Sequence, residues 1–153
     1  MTKPTGRSEK YHQGRFTPTN PEKYVGNVGD IIYRSSWEKK LLIRLDRDPS
    51  ILKYSSEEMV IPYISPVDGR PHRYFVDFTI MFKTKTGEIK KALIEVKPYS
   101  QTQPPKSKSR TTKRFLTETL TYEVNKAKWE AASAWCKKNG FMFIIMTEHD
   151  LGI

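Results

Sequence analysis

Two short stretches carry residue types that can do chemistry together. Tyr74-Phe75-Val76-Asp77-Phe78 holds one acidic side chain, and Leu93-Ile94-Glu95-Val96-Lys97 holds a second, with a lysine two residues on. Phe78, Ile80 and Phe82 alternate with Asp77, Thr79 and Met81, the period of a strand with one apolar face. Ala92, Ile94 and Val96 alternate in the same way with Leu93, Glu95 and Lys97. A three-residue loop of Lys85, Thr86 and Gly87, the glycine taking the left-handed position, closes the hairpin between them. That register sets Thr84 opposite Glu88, and therefore Asp77 opposite Glu95, with Cβ atoms roughly 4.5–5.5 Å apart. Lys97 shares their face, and a one-residue slip would send Glu95 and Lys97 to the other side.

Two neighbouring carboxylates suit a hard divalent cation, and the cation with the lysine suits a phosphodiester. The plainer reading is a surface hairpin with cross-strand charge pairs, since an acidic residue followed by Glu-x-Lys is a weak pattern alone. The flanks argue for the cation. Both carboxylates sit in apolar runs, where an unpaired charge is costly, and a cation would neutralise the pair.

The elements around these strands follow from pattern and punctuation. A helix starts at Ser35 or Ser36 and runs to about Arg47, before Pro49. Ser35-x-x-Glu38 is a capping box, which explains Glu38 structurally. Glu38 also heads the stripe of Leu41, Leu42 and Leu45, so it faces the body of the protein and is a catalytic candidate as well. Met59-Val60-Ile61 and Tyr63-Ile64 are strand-like, and Pro62 between them marks an edge strand or bulge. Glu57 and Glu58 read as a solvated pair. Asp68-Gly69 marks a turn into the strand of Asp77. A long helix spans about Thr117 to Lys138, with a buried stripe of Leu120, Val124, Ala127, Ala131 and Ala134 and a stop at Gly140. Phe141 to Thr147 reads as a fully buried strand, paired in parallel through that crossover helix.

The chain has 153 residues, 37% of them hydrophobic and 29% charged, with a formal net charge of +10. It is long enough for one core, and the charge favours a polyanionic partner. No apolar run approaches the roughly 20 residues of a membrane span, and no signal-peptide core is expected. Cys136 reads as a small core residue rather than a nucleophile. His12, His72 and His149 lack metal-ligand spacing, which disfavours a zinc site. Residues 1–30, with three prolines and several cations, read as a basic, partly disordered arm ahead of a domain over 31–153. Residues 98–114 form a proline-containing loop with Lys106, Lys108, Arg110, Lys113 and Arg114 and no acidic residue. It leaves the sheet directly after Lys97, as a phosphate clamp would. Arg34 and Lys126 are further candidates for contact with DNA, and Lys128 beside Lys126 could also face it.

The order of a helix with Glu38, a strand with Asp77, a strand with Glu95-x-Lys97, then helix and strand resembles the PD-(D/E)xK nuclease core over about residues 33–148. The proline of that motif falls at position 76, where this chain has Val76. Tyr33-Arg34-Ser35-Ser36-Trp37-Glu38, Tyr54-Ser55-Ser56-Glu57-Glu58, Gly14-Arg15-Phe16 and Asn20-Pro21-Glu22-Lys23-Tyr24 look like the head completion nucleases of T-even-type tailed bacteriophages. The chain is similar too to transposon-end endonuclease subunits. The resemblance implies an α/β fold, a mixed central sheet flanked by helices, and Mg²⁺- or Mn²⁺-dependent cleavage of DNA. It implies that Asp77, Glu95 and the Val96 carbonyl bind the metal, that Lys97 orients water or stabilises phosphorane charge, and that Glu38 completes the site. It also implies a role in finishing DNA-filled heads. The partners would be DNA and head or portal-vertex proteins, with no membrane, and the place the host cytoplasm or the virion head. The rival expectation is a non-catalytic DNA-binding protein of the phage head or neck. The sequence leaves the oligomeric state open.

Overall fold

A computed structural model describes residues 13–106 and 111–152. In chain order, β1 (Gly14–Arg15) and β2 (Ile32–Tyr33) pair antiparallel and lead into α1 (Ser36–Arg47). β3 (Ile51–Ser56) follows, then the hairpin of β4 (Val60–Ile64) and β5 (Pro71–Phe75). Next come β6 (Phe78–Lys83), β7 (Ile89–Val96), α2 (Lys113–Asn139), β8 (Met142–Met146) and the single turn α3 (Glu148–Leu151).

The central sheet has the order β3-β6-β7-β8. The first two contacts are antiparallel, and β7 pairs with β8 in parallel, so the sheet is mixed as expected. The β6–β7 hairpin has the expected register. The Thr84 amide donates to the Glu88 carbonyl at 2.8 Å, and Gly87 has φ +88°. Phe78 faces Ile94, so Asp77 and Glu95 face each other one step further.

Both faces of this sheet are covered. Phe78, Ile80, Ala92 and Ile94 pack with Leu41, Leu42 and Leu45 of α1. Leu93 packs on the other side with Ala132 and Cys136 of α2 and with Ile61, Tyr63 and Tyr74 of the outer hairpin. The alternation in the sequence is therefore apolar against apolar along much of β7, the mark of a strand buried on both faces. Asp77 lies just before β6, where the chain passes from the outer hairpin into the central sheet.

Several expectations need correction. Residues 1–12 of the expected arm lie outside the described residues. From residue 14 onward the segment is bound to the body. Phe16 and Tyr24 are core residues, and the amides of Thr19 and Asn20 donate to the buried Asp46 carboxylate. The Lys23 ammonium closes α1, donating to the carbonyls of Leu45, Asp46 and Asp48 at 2.8–2.9 Å. Proline content suggested irregularity, whereas side-chain bonds to one helix end supply the order. α2 starts at Lys113 rather than near Thr117, because the Thr112 hydroxyl caps it by accepting from the Phe115 amide. Val124, Ala127 and Ala131 of the expected stripe are half-buried against the core, but the fully buried line runs through Asn125, Ala132 and Cys136, and Leu120 and Ala134 are exposed. β8 is only half-buried, because among the described residues it is an edge strand with β7 on one side alone. Pro62 does lie on an edge, in a strand that among the described residues pairs only with β5.

Candidate active site

The site forms where β6 begins and β7 ends. Asp77 is fixed from two sides. Its carboxylate accepts from the Val96 amide at 2.8 Å, and its carbonyl accepts from the Glu57 amide at 3.0 Å. Glu95 is 5% exposed and accepts a hydrogen bond from the Tyr74 hydroxyl. Its other oxygen lies 3.7 Å from the Lys97 ammonium. One oxygen of Glu95 is thus tied to a buried phenol and the other meets a cation.

Glu38 reaches this acidic centre from the first turn of α1. The Ser35 hydroxyl accepts from the Glu38 backbone amide at 3.1 Å, so the cap does not need the Glu38 side chain. The Glu38 carboxylate accepts from the same hydroxyl at 3.3 Å. Half of the expected capping box is made, and the carboxylate is left for other work. Burial, then the Asp77 charge, push the Glu38 carboxyl up to about 7. Burial, then the Glu95 charge, push Asp77 up to about 7 as well. Burial also raises Glu95, while the Tyr74 hydrogen bond and the Lys97 charge pull it back. Three carboxyls, Glu95 buried and Glu38 and Asp77 half-buried, that resist ionisation together are a place where a positive charge would be welcome.

The donor set defines what could fill that place. Among the described residues no group of three His, Cys, Asp or Glu side chains could hold a metal by itself. Asp77 and Glu95 with the Val96 carbonyl suit an ion that keeps much of its water, as Mg²⁺ does. With no third side chain placed as a ligand, Glu38 is better suited to handling a proton or a water than to direct coordination.

The residues expected at DNA divide into several groups. Lys108 and Arg110 lie outside the described residues. Lys106, Lys113 and Lys126 are exposed. Arg114 is exposed and pairs with Glu118 at 2.8 Å, on the first turns of α2. Arg34 holds Glu57 through two bonds of 3.0 and 3.1 Å. Glu57 is therefore not one of a solvated pair. It has φ +55°, its amide anchors Asp77, and its charge helps to raise both Glu38 and Asp77.

Two residues near the site were missed or misread from sequence. Tyr74 was quoted only as a strand residue. Its position between the exposed Arg73 and Phe75, three before Asp77, gave no sign of its bond to Glu95. Lys128, expected to face DNA, lies instead over the rings of Tyr63 and Tyr74, at 5.8 and 5.7 Å, and its charge helps to lower Glu95.

Comparison with known proteins places this geometry. The family model described as TnsA-like endonuclease N terminal matches residues 48–148, which hold Asp77, Glu95 and Lys97. The chain is also similar to the head completion nuclease of Enterobacteria phage T4. The two are 40% identical over 144 residues, covering 92% of this chain and 93% of the relative.

Proposed function

The chain belongs to the TnsA-like endonuclease family, and we propose that it hydrolyses DNA phosphodiester bonds with a divalent cation held by Asp77 and Glu95. A nuclease acting in phage head completion is the reading that the relative's name and the family description support. The observation that carries the chemistry is the facing of Asp77 and Glu95 at two strand ends, with the Lys97 ammonium 3.7 Å from Glu95.

Asp77, Glu95 and the Val96 carbonyl would hold Mg²⁺ or Mn²⁺. Such an ion, when bound, makes water easier to deprotonate and shields the charge of the phosphate from an incoming hydroxide. The remaining work falls to the chain. Hydrolysis adds hydroxide to phosphorus, breaks one P–O bond and returns a proton to the leaving oxygen. Glu38, whose carboxyl is raised by burial and by the Asp77 charge, is the candidate to accept the proton of the attacking water. Lys97 supplies positive charge where the phosphate becomes more negative. Tyr74 orients Glu95, and the Val96 and Glu57 amides orient Asp77. The exposed cations at 106, 113 and 126, with Arg34, Lys108, Arg110 and Arg114, would meet the DNA backbone. In this reading the protein acts during head assembly, in the host cytoplasm or at the filled head, beside head or portal-vertex proteins.

The test is cleavage of single-stranded, duplex and branched DNA with Mg²⁺ or Mn²⁺, with and without chelator. Cleavage that the chelator abolishes is expected. Tight DNA binding without cleavage under any of these conditions would favour the non-catalytic head or neck protein instead.

A further inference from the structure

A second feature is a cavity of about 450 Å³ between the segment after Lys97 and the N-terminal half of α2. Gln101, Gln103, Arg114, Thr121, Tyr122 and Asn125 are among the residues that line it. Asn125 is only 5% exposed, yet among the described residues its side-chain amide has no hydrogen-bond partner. The amide is not sealed from solvent, so it presents a free donor and acceptor to the cavity from a side chain that is otherwise enclosed, which points to a ligand that completes it. An apolar residue would pack better at that position on α2, next to Ala132 and Cys136 in the same buried line.

Both walls of the cavity lead along the chain to the acidic centre. On one wall, Gln101 follows Lys97 by four residues, which limits their separation to about 14 Å at full extension. That wall is pinned, since the Tyr99 amide donates to Glu148 at 2.7 Å and the Tyr99 ring lies against His149. On the other wall, Asn125 and Lys128 stand three residues apart on one face of α2. Lys128 lies over Tyr74, which bonds Glu95.

We propose that this cavity receives the base of one unpaired nucleotide of the DNA strand, a few nucleotides from the phosphate that is cut. The inference rests on the nuclease reading for its ligand. Primary amides donate and accept in the paired pattern of a base edge, which Asn125 and Gln101 would meet. Tyr122 offers a ring for stacking, and Arg114 at the rim can exchange its exposed pairing with Glu118 for a phosphate. A duplex base cannot enter, so the nucleotide must be unpaired or drawn out of the stack. At about 3.4 Å per nucleotide along one strand, the span from Lys97 corresponds to roughly four steps at most.

The test uses the full chain in chelator, so that binding is read without cleavage. 2-Aminopurine is placed in turn at each of several positions around the mapped cut, in strands that are single or locally unpaired there. Its fluorescence should change strongly at one or two adjacent positions and little elsewhere. Tyr122→Ala and Gln101→Ala should remove that change and weaken binding about fivefold or more, the scale of one lost base contact. Asn125→Leu should do the same while raising thermal stability, because it fills the position with an apolar group. Should Asn125→Leu fail to fold, the two variants on the cavity wall still decide. Free deoxynucleoside monophosphate at high concentration should compete only weakly. Uniform fluorescence at all positions, with affinity unchanged in Tyr122→Ala and Gln101→Ala, overturns the proposal. A signal from free nucleotide without one from DNA also overturns it, by assigning the cavity to a mononucleotide. If the chain binds DNA with the localised signal but never cleaves, the nuclease reading fails and the base site stands.

Discussion

At the scale of single residues, the carboxyls of the site make their own pH dependence. Glu38 is raised from 4.5 to about 7, so its proton is bound more tightly in the folded chain than in the unfolded one. Such a group favours folding below its unfolded value, and that contribution is lost as pH rises through the folded one. Asp77 acts in the same direction. Without divalent cation the melting temperature should therefore fall between about pH 5 and pH 8, at roughly 2–4 °C per kcal/mol for a chain of this size. Mg²⁺ should reverse the fall, and Asp77→Asn should flatten it. A melting temperature that rises over this range in chelator would contradict the assignment of these shifts. Tyr74 permits a finer test. Its hydroxyl helps to hold the Glu95 pKa down, so Tyr74→Phe should move the pH–rate profile to higher pH and demand more Mg²⁺. An unshifted profile would reduce Tyr74 to a packing residue. Glu38→Gln should keep the helix, because Ser35 caps it through the backbone amide, yet lose cleavage by about a hundredfold or more. The opposition of Asp77 and Glu95 was legible from the hairpin alone, since a period of two and one glycine turn fix it. Tyr74 and Glu57 were not, because each reaches the site across a strand boundary that no local pattern marks.

At the scale of elements, the segment before α1 and the end of that helix form one unit. The Asp46 carboxylate is 1% exposed and gathers the amides of Thr19 and Asn20 and the Tyr54 hydroxyl. Asp46→Ala would orphan these donors together and should cost about 3 kcal/mol or more, read as the midpoint and slope of urea unfolding. A loss no larger than that of an exposed Asp48→Ala would show that the segment is not anchored there. The helix of Glu38, the hairpin and the parallel β7–β8 pairing could all be read from the sequence, because local periodicity carries them. The start of α2 could not. Lys113 and Arg114 oppose the dipole of a helix N-terminus, and only the Thr112 cap overrides that signal. Its buried line was only partly legible, for Val124, Ala127 and Ala131 do pack on the core while Leu120 and Ala134 do not. Alanines suggested a core stripe, whereas the helix leans a polar residue, Asn125, over the cavity.

At the scale of the whole molecule, a net charge of +10 surrounds an acidic centre. In the proposed reading that arrangement would draw DNA to the surface and leave the cut phosphate to the cation and Lys97. Each phosphate contact contributes about −0.9 to the log–log salt slope of duplex binding. Alanine at Lys106 and Lys113 should therefore flatten the slope by nearly two and weaken unrelated sequences alike. If that variant keeps its slope while removal of residues 1–12 loses it, the N-terminal cations make the contacts instead. Charge made a polyanion readable from composition, but not which cations are free, since Arg34, Arg114 and Lys128 all have partners within the chain. The central claim is that the Asp77–Glu95 pair is the seat of the chemistry. Its most direct test is single-turnover DNA cleavage by Asp77→Asn and Glu95→Gln in saturating Mg²⁺, with DNA affinity measured on the same samples. Cleavage should fall by about a thousandfold or more while binding is unchanged or tighter, because each variant removes a cation ligand and a negative charge. Cleavage within a few-fold of the unaltered chain in either variant would contradict it.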